Sequence, residues 1–434
     1  MIIDSVEIKG FWGTKKASAI INQDVTIFIG YNGTGKTTFV NLIAAALSLD
    51  IIQLSSLQFE EIKIKLIDPN QKRSKTIKVL NNSEESIPFN LYQYKISNKT
   101  YQVFADPRII FRSSRYSFDK LDQYRRMPSR YREEYIQLKK ELSRLVEISQ
   151  ISVYRQSYDV DFEGDPRQRF SAVDDRLQQL FERFAKYQLK LETRLNEISK
   201  RFQQQVVLSL LYNEEFDSLK TDKFKEKINL EEQSYKLSLA FKELGIEGKN
   251  DHVKRHIKRM EEGIKSWGNY SSSQDKQIDI ENVFVLPLIY RTNYIIDLLN
   301  QSENEKNKII EFRQKFFDIL QSFIAKKKFV YDNKTSELFF SLDEEGKDSL
   351  PWMRLSSGEK QLLIQFLEVL LQENRSVIFI ADEPELSLHL TWQEKLLKSI
   401  RDLNQNAQLI VATHSPDIVA DFRNRVLNME DVVS

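Results

Sequence analysis

The 434-residue chain has no cysteine, which excludes disulfides and thiolate-bound metals and suits a reducing cytoplasm, where the protein is expected to act. Histidine is nearly as scarce. Of its four copies, His252, His256 and His389 lack the spacing to acidic neighbours that a zinc site needs. No window approaches the ~18 uncharged apolar residues of a membrane-spanning helix, so none is expected. The start, MIIDSVEIKG, alternates like a strand and has no basic segment ahead of an apolar one, so it does not read as a secretory signal. An excess of one charge is also missing: 64 basic and 63 acidic residues leave a formal net charge of +1, and any pull on nucleic acid must come from local patches. No repeat of fixed period is evident. A composition of 41% hydrophobic and 29% charged residues is that of a folded globular protein, and the length accommodates two or three core units, one inserted into another.

What is present centres on GYNGTGKTTF, from Gly30 to Phe39, directly after the apolar run 25–29 and ahead of a helical pattern over residues 37–47. It fits G-x-x-x-x-G-K-[ST] on Gly30, Gly35, Lys36 and Thr37. Strand, glycine-rich loop and helix in that order make a phosphate cradle. The glycines let consecutive N–H groups turn toward one anion, the helix N-terminus adds partial positive charge, Lys36 reaches the outer phosphates and the Thr37 hydroxyl meets Mg²⁺. A glycine-rich turn that binds nothing is the competing reading, and the strand and helix on either side weigh against it.

Residues 2–8 alternate and residues 17–21 are short and apolar; with 25–29 they read as strands feeding the loop. Lys15 and Lys16 between the first two fit a solvated hairpin tip better than a contact with nucleotide or DNA. Residues 62–67, 76–80 and 91–103, separated by turn-forming Asp68-Pro69-Asn70 and Asn81-Asn82-Ser83, read as antiparallel strands. From Arg108 to Arg132, eight Lys or Arg, two Asp and five Phe or Tyr interleave, a composition that suits a track along a phosphate backbone and also a helix surface or protein contact. Residues 148–154 predict another strand, followed by Arg155, Gln156 and a polar stretch that closes a first lobe.

The periodicity changes at Val173. Leu177, Leu180, Phe184, Tyr187, Leu191, Leu195, Ile198 and Phe202 step by three or four residues in a heptad-like stripe. A second helical segment covers 221–267, where Lys254, Arg255, Lys258 and Arg259 fit a solvated outer face better than a binding surface. Residues 268–274 predict a break, and the helical pattern resumes over 283–324. Three long segments with short polar breaks predict an antiparallel helical arm. Residues 328–331 and 338–342 then predict a hairpin returning to the core.

Further chemistry follows. Leu355, Ser356, Ser357, Gly358 and Glu359 precede a strongly apolar helix over 360–372, which by itself is ordinary N-cap chemistry. The run 377–381 is a buried strand ending in Asp382-Glu383-Pro384-Glu385, and the carboxyl end of a buried parallel strand is where an α/β sheet places catalytic residues. Asp382 is placed to hold Mg²⁺ and Glu383 to orient or deprotonate an attacking water. Residues 409–412 give one more strand, with Thr413-His414-Ser415-Pro416 at its end, and His414 is placed to donate a hydrogen bond to a terminal phosphate.

In order and character, GYNGTGKT, LSSGE, VIFIADEPE and THS resemble the Walker A, signature, Walker B and switch-histidine motifs of ABC-class ATPases. The resemblance implies an α/β P-loop NTPase, an ABC-type head with a mixed sheet, interrupted by an inserted antiparallel helical or coiled-coil arm. It implies lobes at 1–170 and 326–434 with the arm at 171–325. It further implies a homodimer or higher homo-oligomer with ATP and Mg²⁺ sandwiched between heads. Gly30, Asn32, Gly33, Gly35, Lys36, Thr37 and Thr38 would hold phosphate, Thr37 and Asp382 the metal, Glu383 and His414 would be catalytic, and Ser356 and Gly358 would reach the γ-phosphate of the second copy. Ser357 stands where the transporter-type signature has a second glycine, and Gln156 is the candidate for the family's Q-loop. The long insertion disfavours a transporter subunit and points to the SMC, RecF and OLD-like branch. The wording Asp382-Glu383-Pro384-Glu385 through Leu388-His389 resembles the OLD and RecF group. With only 20 residues after His414, where an OLD nuclease continues into a Toprim domain, the chain resembles the stand-alone ATPase subunits of bacterial anti-phage systems such as PARIS, Septu and retron systems. The expected function is an ATPase that senses phage infection or DNA and controls a separate Toprim or HNH nuclease. The alternative is a RecF- or SMC-like DNA-binding ATPase of repair.

Overall fold

A computed structural model describes residues 1–69, 71, 73–82, 90–105, 129–151, 172–212, 229–246, 250–272, 285–324, 327–332, 337–341 and 349–434. Strict alternation of apolar and polar residues builds the first sheet. Its six strands are β1 (Ile2–Phe11), β2 (Lys15–Ile20), β4 (Glu61–Asp68), β5 (Arg73–Asn81), β6 (Asn90–Ile96) and β7 (Lys99–Ala105). They pair antiparallel in the order β2-β1-β4-β5-β6-β7. Val6, Ile8, Ile62, Ile64, Ile77, Val79, Tyr92 and Tyr94 bury one face, while Lys63 and Lys95 stay exposed on the other. The single strand expected over 91–103 is two. Ser97, at φ 53°, and Asn98 close a two-residue hairpin in which Ile96 pairs with Lys99, because a left-handed residue there matches the twist of the strands.

A second sheet has the order β14-β3-β13-β12-β8, with every pairing parallel. It comprises β3 (Val25–Ile29), β8 (Ile148–Ile151), β12 (Ile378–Asp382), β13 (Gln408–Ala412) and β14 (Val426–Asn428). The three central strands read VTIFI, IFIAD and QLIVA, near-continuous apolar runs, as strands covered on both faces must. Of the strands expected to feed the glycine-rich loop, only β3 does so. The alternating strands β1 and β2 have one wet face and belong to the antiparallel sheet.

Helix α1 (Lys36–Ser48) fills the space between the sheets. Leu42, Ile43, Ala44, Ala45 and Ala46 are fully buried, so it is apolar nearly all round, and one continuous core joins it to Val6 and Ile64 of one sheet and Ile380 and Ile410 of the other. After it come α2 (Ile51–Ser56) and α3 (Ser129–Leu145), the latter reached after most of the basic strip 108–132. Residues 108–128 of that strip lie outside the described residues, as does Gln156.

The chain divides into two compact units, Met1–Ala185 with Lys315–Ser434, and Lys186–Gln314. Helices α4 (Ala172–Leu208) and α7 (Val285–Phe323) each contribute to both; α5 (Leu230–Glu243) and α6 (Asn250–Ser272) belong to the second unit. Within that unit Arg313 donates to Gln188 at 3.0 Å and Arg201 to Glu305 at 3.2 Å, so α4 and α7 run antiparallel, as expected. Two small cores stabilise it, one around Phe202, Ala240 and Leu298, the other around Met260, Val285 and Ile289. The helix breaks differ from those expected. Gly268 lies inside α6, which continues to Ser272, whereas α5 stops at Gly245. Gly245 is left-handed at φ 76°, its N–H donates to the Lys242 carbonyl and the Ile246 N–H to Phe241, a Schellman stop that needs glycine.

The hairpin of β9 (Lys328–Asp332) and β10 (Glu337–Ser341) forms as expected and adds β11 (Ser349–Leu350). Helices α8 (Ser357–Leu370) and α9 (Leu390–Leu403) complete the first unit with short C-terminal turns.

One polar side chain fastens the two sheets together. Gln408, fully buried on β13, accepts from the Ile3 N–H at 2.8 Å and donates to the carbonyls of Ile3 and Asn22, each at 2.7 Å. Gln408→Leu takes this partner from two buried backbone groups of Ile3 and from the part-buried Asn22 carbonyl, so we expect a loss of about 3 kcal/mol in urea unfolding with little change in m-value.

Candidate functional site

The parallel register decides which side chains meet. Phe28 pairs with Ala412, and Ala412 with Asp382, so the loops leaving β3, β12 and β13 share one edge of the sheet. Thr413 N–H donates to the Phe28 carbonyl at 3.1 Å and Glu383 N–H to the Ala412 carbonyl at 2.7 Å, which continues the ladder into those loops.

In the first loop Gly30, Gly33 and Gly35 all have positive φ, at 148°, 82° and 96°. A Cβ on Gly35 would stand 2.8 Å from the Phe11 ring, so the β1–β2 turn presses against the loop from outside. Gly35 caps α1 with no side-chain hydrogen bond, leaving the first helical N–H groups available to an anion. Asn32 and Gly33 are exposed, and Thr38 is half-buried in the first turn. The Lys36 ammonium folds back over the loop, donating to the carbonyls of Gly30 at 2.7 Å and Tyr31 at 3.0 Å, and the residue is only 5% exposed. Burial pulls its pKa down, against the upward pull of the nearby Glu383, Asp382 and Glu385 carboxylates.

The decisive contact joins the two halves of the chain. Thr37 Oγ1 donates to Asp382 Oδ1 at 3.0 Å, across 345 residues. A hydroxyl and a carboxylate oxygen side by side, both hard donors, next to a ring of amides and an ammonium, fit Mg²⁺ and a polyphosphate. Glu383 follows directly, half-buried and held at φ 48°, a left-handed conformation that costs a non-glycine residue energy and concentrates at functional sites. His414 is exposed at the end of β13, and its imidazole makes no hydrogen bond with the described residues.

Ser356 and Gly358 form a different feature. Ser356 caps α8 in a reciprocal box with Glu359: its Oγ accepts from the Glu359 N–H at 3.3 Å, and Glu359 Oε2 accepts from the Ser356 N–H at 2.8 Å and from its Oγ at 2.9 Å. A Cβ on Gly358 would lie 2.4 Å from the Ser387 carbonyl, so glycine is required for α8 to approach the turn after Glu385. Among the described residues no hydrogen bond joins Ser356 or Gly358 to the Lys36 loop.

Sequence reasoning assigned no role to the groups that hold α8. Lys327 donates to both oxygens of Glu359 at 2.8 Å, and Lys360 to Asp174 at 2.8 Å. Arg176 and, at 3.4 Å, Arg183 pair with the buried Glu368. Phe323 packs edge-on against Phe366 with centroids 5.2 Å apart. The helix that carries Ser356 is thus gripped by the first turns of α4 and by the last turn of α7 with the segment after it. Charged residues alternating with an apolar stripe signalled those helices but not their partners. Glu385 was likewise quoted without a role, and it proves to be a buried anchor: Oε1 accepts from Thr413 Oγ1 at 2.5 Å and from the N–H groups of His414 and Ser415 at 3.0 and 3.2 Å.

A model of the AAA ATPase domain family matches residues 1–419. Among solved structures the chain is similar to the Smc head domain with an extended coiled coil bound to the C-terminal domain of ScpA from Pyrococcus furiosus, at 15% identity over 98% of this chain and 93% of that one, with a TM-score of 0.43. It is similar also to the Smc head domain with a coiled coil and joint from Pyrococcus yayanosii, at 15% identity, 98% and 94% coverage and a TM-score of 0.40. For the SMC head domain from Thermotoga maritima the values are 10%, 96%, 91% and 0.38. Among the described residues no helix is long and apolar enough to cross a membrane.

Burial pushes the Glu359 carboxyl up, but the Lys327 ion pair and the Ser356 hydrogen bonds outweigh it and hold the pKa below the ordinary carboxylate value. The stability this gives is present above that ordinary value and is lost as pH falls through the lowered one. Lys327→Met should therefore lower Tm at neutral pH, and the gap from the parent protein should close as the pH is taken down into the acid range in a thermal-melt series.

Proposed function

The chain belongs to the AAA ATPase domain family, and from that premise we propose that it binds ATP with Mg²⁺ between two copies of itself and hydrolyses it, and that the closed and open states control a separate effector nuclease in response to phage infection or DNA. The observation that carries the catalytic part is the 3.0 Å bond between Thr37 and Asp382, which joins the loop of β3 to the acidic end of β12. In this reading the amides from Gly30 to Lys36, with Thr38, hold the phosphates, and Lys36 leaves its two carbonyl partners to meet their charge. Thr37 and Asp382 would hold the metal, which when bound would supply charge neutralisation and polarisation of the phosphoryl group. Glu383 orients a water and takes its proton, and His414 donates to the terminal phosphate.

Ser356 and Gly358 would complete the site of the second copy, which agrees with the absence, among the described residues, of hydrogen bonds from them to their own Lys36 loop. Residues 171–325 form the arm of this reading. The grip of its helix ends on α8, through Asp174, Arg176 and Glu368, supports it as the reporter of whether two heads are joined. The DEPE wording after β12 and the run to His389 supports placement beside the anti-phage ATPases and a separate Toprim or HNH effector. A second reading, a DNA-repair ATPase, draws on the eight basic residues between Arg108 and Arg132, and steeply salt-dependent DNA binding by the purified chain would favour it.

Glu383→Gln should keep nucleotide affinity and lose on the order of 10²-fold or more in steady-state turnover; normal hydrolysis by that variant would refute the assignment. Completion by a second copy is tested by mixing. Lys36→Ala and Ser356→Arg chains should each be inactive alone and regain hydrolysis when combined, because one hybrid site then holds an intact loop and an intact Ser356. Two inactive chains that stay inactive together would exclude sharing.

A further inference from the structure

We infer that Glu385 is a positioning residue for His414: its buried carboxylate fixes the backbone of the β13 exit loop so that the imidazole stands at the nucleotide. The inference rests on the reading of His414 as the group that donates to the terminal phosphate. Three consecutive residues are bound by one oxygen, through the Thr413 hydroxyl at 2.5 Å and the N–H groups of His414 and Ser415 at 3.0 and 3.2 Å. With the peptide units on both sides of it tied back to Glu385, the direction of the His414 Cα–Cβ bond is set, and the residue is exposed. The anchor itself is secure. Thr413 is fully buried and Glu385 8% exposed, so the Thr413 bond forms out of water and the other two are partly shielded from it, where hydrogen bonds to a charged acceptor are strong.

The other carboxylate oxygen, Oε2, is buried and has no hydrogen-bond partner among the described residues. A carboxylate kept in such a place at a desolvation cost is poor packing and calls for another account. Apolar substitution would fill the space at less cost but would release the loop. The anchor also connects outward. Ser415 Oγ donates to Gln393 at 2.6 Å, and Gln393 donates to the Leu388 carbonyl at 2.9 Å, closing a ring between the turn after β12 and the loop after β13. Gln365 of α8 donates to the Pro384 carbonyl at 2.8 Å, directly before Glu385. The Ser356 helix is thereby hydrogen-bonded to the residue next to the one that holds His414.

The test is a double-mutant cycle in full-length protein, read as ATP turnover, nucleotide affinity and Tm. His414→Ala and Glu385→Ala should each lower kcat, the second on the order of 10²-fold as expected when a reacting group is displaced by about 1 Å. Affinity should hold, and the double variant should be no slower than His414→Ala. Glu385→Gln, whose amide oxygen still accepts all three bonds, should keep more turnover than Glu385→Ala. Should Glu385→Ala prove too unstable, Thr413→Val removes one of the three bonds without emptying the carboxylate site and should lower kcat in the same non-additive way. Multiplicative losses in an otherwise impaired His414→Ala background would overturn the inference alone. Normal turnover by His414→Ala would overturn the histidine's role and this inference with it, leaving Glu383→Gln to judge the hydrolytic site.

Discussion

Phe28 beside Ala412 and Ala412 beside Asp382 are the pairs on which the candidate site depends. A parallel strand pair brings like ends together, so the phosphate-type loop, the paired carboxylates and the histidine loop emerge at one edge without further steering. Shift β13 by one residue and Gln408 loses Ile3, while Thr413 and His414 leave the edge out of step with the loops of β3 and β12. The whole candidate site is downstream of that register.

Much of this was legible in the chain. The run VTIFIGYNGTGKTTF contains strand, loop and helix in an order that leaves little freedom, and IFIADEP names both a buried strand and what it delivers. What sequence could not supply was partnership. The alternation in residues 2–8 identifies a strand but not its sheet, and pairing with residues 61–68 is a tertiary fact. Ser97 and Asn98 were absorbed into one long strand because both flanks favour extended backbone. Gly268 attracted a helix break that Gly245 makes, since a glycine ends a helix only where the left-handed turn finds its two carbonyls. Lys327, Asp174 and Glu385 were invisible because an ion pair or buried acceptor leaves no periodic trace.

The grip on α8 shows how surface-type chemistry becomes specific when buried. Isolated Lys–Glu pairs, such as Lys63 with Glu7 at 3.6 Å on the open face of the first sheet, contribute little. Around α8 the same residue types are half-buried, share acceptors and lie on several elements, so their geometry is mutually dependent. They fix the orientation of the Ser356 cap more than they add to overall stability.

Gln408 reaches back 405 residues to Ile3, and β3 lies between β13 and β14, both of which are made some 380 residues after it or later. A chain emerging from the ribosome can close its antiparallel sheet early from local hairpins, and the helical segments after it from their own short-range contacts. Helix α1 then waits with one apolar side uncovered until the final quarter of the chain is made. Such a side is adhesive while it waits. The arrangement that draws the candidate site from residues 30–38 and 382–414 also keeps it from assembling until the later segment has been made.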